Sequence, residues 1–290
     1  LSTIDDLVIS AVIFFCQQGM EGGRAFVDIV SGKVSPSGKL TDTWAKQYDD
    51  IPFAREYSYL SGDVSKEYYK EDIYVGYRYF ETLPNVSDKV LYPFGFGLSY
   101  TDFDIKCEKF ECDGKAVTVK ARVKNTGEKY SGKETVMLYS SAPMSKLGTP
   151  KYELRAFAKT KPLLPKEEEI LSLEFSIEDM ASFDDKGVLG TADAFVLLGG
   201  EYQFFLGNNI RTTEKIGSFE NPATRVIRKC THLPTELKSR LTNTGEFEEL
   251  DAIAEDTSLG IKVHSVNKTV IKKDDFYLQK NGAYSYRLNA

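Results

Sequence analysis

The sequence predicts an α/β segment of the parallel-sheet type followed by an all-β sandwich, on three observations. Residues 7–16, LVISAVIFFC, are continuously apolar apart from Ser10, the pattern of a strand buried on both faces with helices on each side. A glycine-rich turn and an apolar helical face follow at once. From Phe103 onward the apolar period drops to two, as in half-buried antiparallel strands.

Composition narrows the function. With 290 residues and 41% hydrophobic content, the chain is long enough for one to three domains with buried cores. Its net charge of −6 and lack of a basic block leave no footprint for nucleic acid or an anionic membrane surface. The apolar run of ten residues is well short of a bilayer span, which takes roughly 20. The first residue is Leu1, with no basic leader or small-residue cleavage site, so the chain is expected to begin inside a larger protein. Cys16, Cys107, Cys112 and Cys230 lack C-x-x-C spacing, and His232 and His264 lie late, which does not fit a zinc site or any other metal site. Cys107 and Cys112 are read as reduced thiols on one strand-turn segment; a small disulfide loop is the alternative. No G-x-S-x-G elbow is present, so carboxylates and tyrosines are the groups available for chemistry.

After the apolar run, Gly19, Gly22 and Gly23 make a strand-to-helix turn. Ala25, Phe26, Ile29 and Val30 then share a helical face, and Gly32 supplies a stop. The glycines satisfy neither phosphate-binding pattern, so they are not expected to bind phosphate. Next, in Ser35-Pro36-Ser37-Gly38-Lys39-Leu40, Pro36 fixes φ and Gly38 can turn left-handed before the chain extends again. The stretch GMEGGRAFVDIVSGKVSPSGKLTDTW resembles the signature of glycoside hydrolase family 3, in which an apolar strand, a G-x-E-G-G helix start and an S-P-S-G-K-L turn occur in this order.

Between Trp44 and Tyr100 lies an aromatic-rich stretch dominated by tyrosine, either the wall of a ligand cleft or an interdomain packing surface. Tyr69-Lys70-Glu71-Asp72-Ile73-Tyr74-Val75-Gly76-Tyr77-Arg78-Tyr79 and Tyr92-Pro93-Phe94-Gly95-Phe96-Gly97-Leu98-Ser99-Tyr100-Thr101 resemble two further words of the family. Asp72 departs from them, standing where the family usually has glycine. Arg78, between two tyrosines, is read as a structural brace on a ring or a carboxylate. Glu21 and Glu71 are the carboxylates best placed in motifs, each able to cap a helix or receive Arg78 or Lys39.

In the second half, Val117, Val119, Ala121 and Val123 alternate with polar residues up to the turn Asn125-Thr126-Gly127. Leu171, Leu173, Phe175 and Ile177 alternate likewise, as do Tyr202, Phe204 and Leu206. With 133–141 and 153–160, these segments indicate a β-sandwich. VKNTGEKYSGKETVMLY and GEYQFFLGNN resemble the fibronectin type III-like (immunoglobulin-like) domain that follows the α/β domain in many family 3 enzymes. Residues 246–256 are acidic and read as a solvated linker, with strand-like pieces and a turn at Asn281-Gly282 beyond.

The expected divisions are 1–101, the C-terminal portion of the α/β domain with its linker; 102–222, the sandwich; and 223–290, an acidic linker and tail. The resemblance implies retaining hydrolysis of a terminal β-linked sugar, most readily a β-glucoside or oligosaccharide, by an aspartate nucleophile and a glutamic acid/base. It also implies that the reaction needs no metal or organic cofactor, that the nucleophile lies on a (β/α)8 barrel and that the acid/base lies upstream of residue 7, so no catalytic residue is expected within this chain. In relatives that barrel precedes the α/β domain or follows the sandwich. A non-catalytic carbohydrate-binding or scaffold protein built from the same domains is the alternative. The low cysteine count and lack of a leader lean towards a cytoplasmic, bacterial-type enzyme.

Overall fold

The computed structural model describes residues 11–57, 60, 67–231 and 237–250, together with the backbone of 276–278 and 284–286. Its centre is a sandwich of two antiparallel sheets. One sheet holds β3 (Phe103–Cys112), β4 (Ala116–Asn125) and β7 (Glu168–Ser176) in the order β3-β4-β7. The facing sheet holds β5 (Thr135–Ser141), β6 (Glu153–Lys159), β10 (Gly200–Gly207) and β11 (Glu214–Asn221) in the order β11-β10-β5-β6. The period-two residues meet between them: Val117, Val119, Ala121 and Val123 of β4 pack with Leu171, Leu173 and Phe175 of β7, and with Tyr202, Phe204 and Leu206 of β10. Phe204 takes Phe110 on one side and Phe175 on the other, at ring separations of 5.3 and 6.1 Å.

Polar side chains fix the corners. Asn125 is fully buried; its amide donates to the carbonyls of Tyr130 and Leu163 at 2.9 and 3.0 Å, and its oxygen accepts from the Gly127 N–H. A third sheet, in the order β12-β9-β8, extends one end: β8 (Ser182–Asp184), β9 (Ala194–Leu197) and β12 (Arg225–Lys229). Buried Asp184 holds its turn by accepting the Val188 and Leu189 N–H groups. All four cysteines are free thiols, and burial raises the pKa of Cys107 and Cys112.

The sandwich has a covering layer. β5 is buried on both faces, because Val136 and Leu138 point into the core while Met137 and Tyr139 point outward beneath residues 77–96. This layer contains α2 (Tyr77–Thr82) and the short pair β1 (Trp44–Ala45) and β2 (Val90–Tyr92). Ahead of it, α1 (Gly22–Val30) starts where the glycine turn predicts and ends at Gly32, whose φ is +74° and whose N–H reaches the Ile29 carbonyl.

The strand expected over 7–16 is corrected. Residues 11–16 carry no strand and are exposed, Phe14 lying edge-on to Trp44 and Phe15 to Phe26; residues 7–10 lie outside the described ones. A parallel strand exists only through its ladder partners. Here β1 and β2 pair with each other, and no strand among the described residues offers a parallel edge. The helical face of α1 is exposed for the same reason.

The expected acidic linker also needs correction. β13 (Ser239–Leu241) and β14 (Phe247–Glu249) form a hairpin that includes its first residues. The hairpin folds because Leu241 is buried beside Tyr74, Phe80 and Leu83, and because the Leu241 N–H donates to the Lys70 carbonyl at 2.7 Å. Residues 251–256 and the turn at Asn281-Gly282 lie outside the described ones, the latter between the paired strands β15 (Phe276–Leu278) and β16 (Tyr284–Tyr286).

Candidate functional site: the seam between layer and sandwich

The sequence motifs converge on the seam between the covering layer and the sandwich. Pro36 and Gly38 bend the S-P-S-G-K turn so that Lys39 points inward, where its ammonium lies 2.8 Å from Glu134 Oε1. Both side chains are almost wholly buried, at 10% and 7% exposure, which makes the pair's completeness matter. It is complete: Glu134 also accepts from the Thr135 N–H at 2.7 Å and the Asn208 amide at 3.0 Å. On either side, Ser35 Oγ donates to the Ser131 carbonyl and Lys159 Nζ to the Ser37 carbonyl, each at 2.6 Å. Burial, helped by Lys133 and Lys39, lowers the Lys159 pKa.

Two motif glycines let the backbones meet. A Cβ on Gly97 would stand 2.1 Å from the Gly38 carbonyl oxygen. One on Gly95, whose φ is +83°, would stand 2.8 Å from Asn209 Cα.

The aromatic stretch packs against the outer face of the sandwich. Tyr77 packs on Phe94 in a tilted pair at 4.8 Å and meets Tyr139 edge-on at 6.1 Å, and its hydroxyl accepts the Leu154 N–H. Arg78 is a brace: its guanidinium lies 3.2 Å from Glu153 of β6, which Arg155 holds from the other side at 2.5 Å. Arg211 crosses the seam in the opposite direction to Glu81 and the Ser87 carbonyl, each at 2.7 Å. The two sequence-chosen carboxylates are not brought together here. Glu21 sits exposed at the start of α1 and pairs with Arg24, while Glu71 lies in the turn whose carbonyl accepts from the Tyr74 N–H.

Beside Arg78 the seam opens into a cavity of about 340 Å³, bounded by the turn at Asp72, the loop at Lys146–Gly148, β8 and the β13–β14 hairpin. Arg240 is its main charge. The guanidinium makes a bidentate pair with Asp185 at 2.7 and 3.2 Å and reaches Glu248 at 2.9 Å and Asp72 at 3.3 Å. Burial works against the charge on Arg240, but the hydrogen bonds to Asp185 and Glu248 outweigh it and raise its pKa. Asp72 differs: its own burial outweighs the attraction of Arg240 and raises its pKa. Burial also pushes the Tyr74 hydroxyl up to about 12.

This arrangement ties three parts of the chain together and recognises charge without leaving any unpaired on Arg240. Sequence reading missed Glu134, Glu153, Asp185, Arg240 and Glu248. The one available signal was Asp72 at a position expected to be glycine.

Residues 2–100 match the glycosyl hydrolase family 3 C-terminal domain, and residues 134–210 match the fibronectin type III-like domain. β-Glucosidase A of Butyrivibrio fibrisolvens is 42% identical over 260 residues, covering 83% of this chain and 31% of that protein. A β-glucosidase of Ruminococcus albus is 42% identical over 226 residues, covering 78% of this chain and 23% of that protein. A solved β-glucosidase from Paenibacillus barengoltzii superposes with a TM-score of 0.76 at 39% identity, over 82% of this chain and 27% of that one. β-Glucosidase 3B from Thermotoga neapolitana, solved with α-D-glucose, gives 0.65 at 37% identity, over 73% and 28%. The chain thus spans less than a third of the length of these relatives. Two domain matches in this order, and relatives of one kind over most of its length, make the chain a member of glycosyl hydrolase family 3 that carries the C-terminal domain and the fibronectin type III-like domain.

Proposed function

We propose that this chain works within a β-glucosidase, completing the α/β domain and bracing it with the sandwich, while the reacting carboxylates lie outside the chain. The retaining reaction needs an aspartate to attack the anomeric carbon and a glutamic acid to protonate the leaving oxygen and then activate water, with the two carboxyl groups about 5–5.5 Å apart. One observation carries the reading. The motif residues that mark the family here are engaged in structural contacts: Lys39 with Glu134, Arg78 with Glu153, and Gly97 against Gly38. The names of the relatives supply the substrate class, a β-glucoside, and no cofactor enters the proposed reaction.

The purified chain is therefore expected to give no turnover of 4-nitrophenyl β-D-glucoside. Turnover that disappears in Glu21→Gln or Glu71→Gln would overturn the proposal.

A further inference from the structure

We propose that Lys159 is a modification site, where an anionic acyl donor of the acyl phosphate class acylates the side-chain amine. The geometry is a gathering of lysines around one carboxylate. Lys159 ends β6 opposite Thr135 of β5, and its Nζ donates to the Ser37 carbonyl at 2.6 Å. Lys39 stands two residues beyond Ser37, and Lys133 adjoins Glu134 in sequence. Glu134 is already committed to Lys39, the Thr135 N–H and the Asn208 amide. Lys133 and Lys159 are both exposed, and neither has an ion pair among the described residues.

The nucleophile is the neutral amine, and a lysine gives up its proton more readily when it is desolvated or set beside another cation. Both conditions hold at Lys159. Burial, then the charges of Lys133 and Lys39, lower its pKa against the opposing pull of Glu134. The Ser37 carbonyl takes only one N–H, so the neutral amine stays held and keeps its lone pair for attack.

Charge selects the donor. Lys39 and Glu134 cancel each other inside the seam, which leaves the uncompensated charge on Lys133 and Lys159 at the surface. That charge concentrates an anionic donor beside the amine, and once Lys159 is neutral, Lys133 still faces the phosphoryl group. In the reaction the amine nitrogen attacks the acyl carbon and the bond from that carbon to the phosphate oxygen breaks. The proton shed by nitrogen leaves with the phosphate as hydrogen phosphate, and Lys159 becomes an uncharged amide. Acylation therefore acts on the tie to Ser37, in the turn that carries Lys39 into the seam.

A lysine that only ties two backbones together would react like any other exposed one, so relative rates decide the matter. The full chain is incubated at neutral pH with acetyl phosphate or with the uncharged N-hydroxysuccinimide ester of acetate, and acetylation at each lysine is followed by peptide mass spectrometry. Lys159 is expected to react faster than the exposed Lys46 and Lys115, and by a larger factor with acetyl phosphate than with the ester. Lys133→Gln, at an exposed position, should slow Lys159 about threefold and leave Lys46 and Lys115 unchanged, the order of effect of one neighbouring unit charge in water. Lys159 reacting no faster than the other two, an equal preference with both donors, or no slowing in Lys133→Gln overturns the proposal.

Discussion

Asp72 combines two local costs. Its φ of 52° is left-handed, which costs a non-glycine residue about 1–2 kcal/mol, and its carboxylate is desolvated enough to raise its pKa despite Arg240. Asp72→Gly removes both and leaves Arg240 its bonds to Asp185 and Glu248. It is expected to stabilise the chain by about 0.5–1 kcal/mol at pH 7 in urea unfolding. A raised carboxylate penalises the folded state when ionised, so the wild type recovers as pH falls through that raised pKa, and the variant's advantage should shrink. Glu248 has the opposite sign, because hydrogen bonding from Lys186 outweighs burial and lowers its pKa. Its contribution is present above the unfolded carboxylate value and lost as pH falls through the folded one, so Glu248→Gln should destabilise at neutral pH and converge with the wild type in acid. Parallel pH trends for the two variants would contradict this assignment. The sequence flagged Asp72 only as a departure. Its partners at positions 185, 240 and 248 share no spacing with it, and an ion cluster gathered from four distant positions leaves no linear pattern to read.

At the level of elements, protection should follow ladder pairing and burial. Limited chymotrypsin digestion is expected to cut at Phe14, Phe15 and Phe26 before any site between β3 and β11, because those phenylalanines are exposed and unladdered. Residues 102–222 should survive as a folded domain, and earlier cleavage within them would sink that assignment. β4 and β7 were legible because one face is core and the other solvent, which writes the period of two directly into the sequence. β5 was legible only as a candidate, since its second face lies under the layer and its burial is continuous. The three-stranded sheet of β8, β9 and β12 went unread: its strands are short, and β12 reaches β9 only after β10 and β11 have intervened. The strand expected over 7–16 failed for a different reason, since apolar composition supplies the propensity to be buried but not the partners that make a ladder.

For the whole molecule, the seam is the feature to perturb. Removing one member of a buried pair strands the other charge, at a cost of about 3–5 kcal/mol. Lys39→Met should therefore destabilise the chain by that order. Lys39→Met with Glu134→Gln should recover part of it, since the introduced amide keeps an oxygen for the Thr135 N–H or the Asn208 amide. Equal loss in the single and double variants, measured by urea unfolding, would show that the ion pair itself carries no special weight. The β13–β14 hairpin has a mechanical consequence as well. The sandwich leaves the covering layer near Thr101, and the chain returns to that layer at Leu241, beside Tyr74 and Lys70. A body tethered at one point swivels about its tether. One anchored where the chain enters and again after it leaves has lost that rotation, so force applied across the seam is shared by two anchors and must break both before the halves can turn.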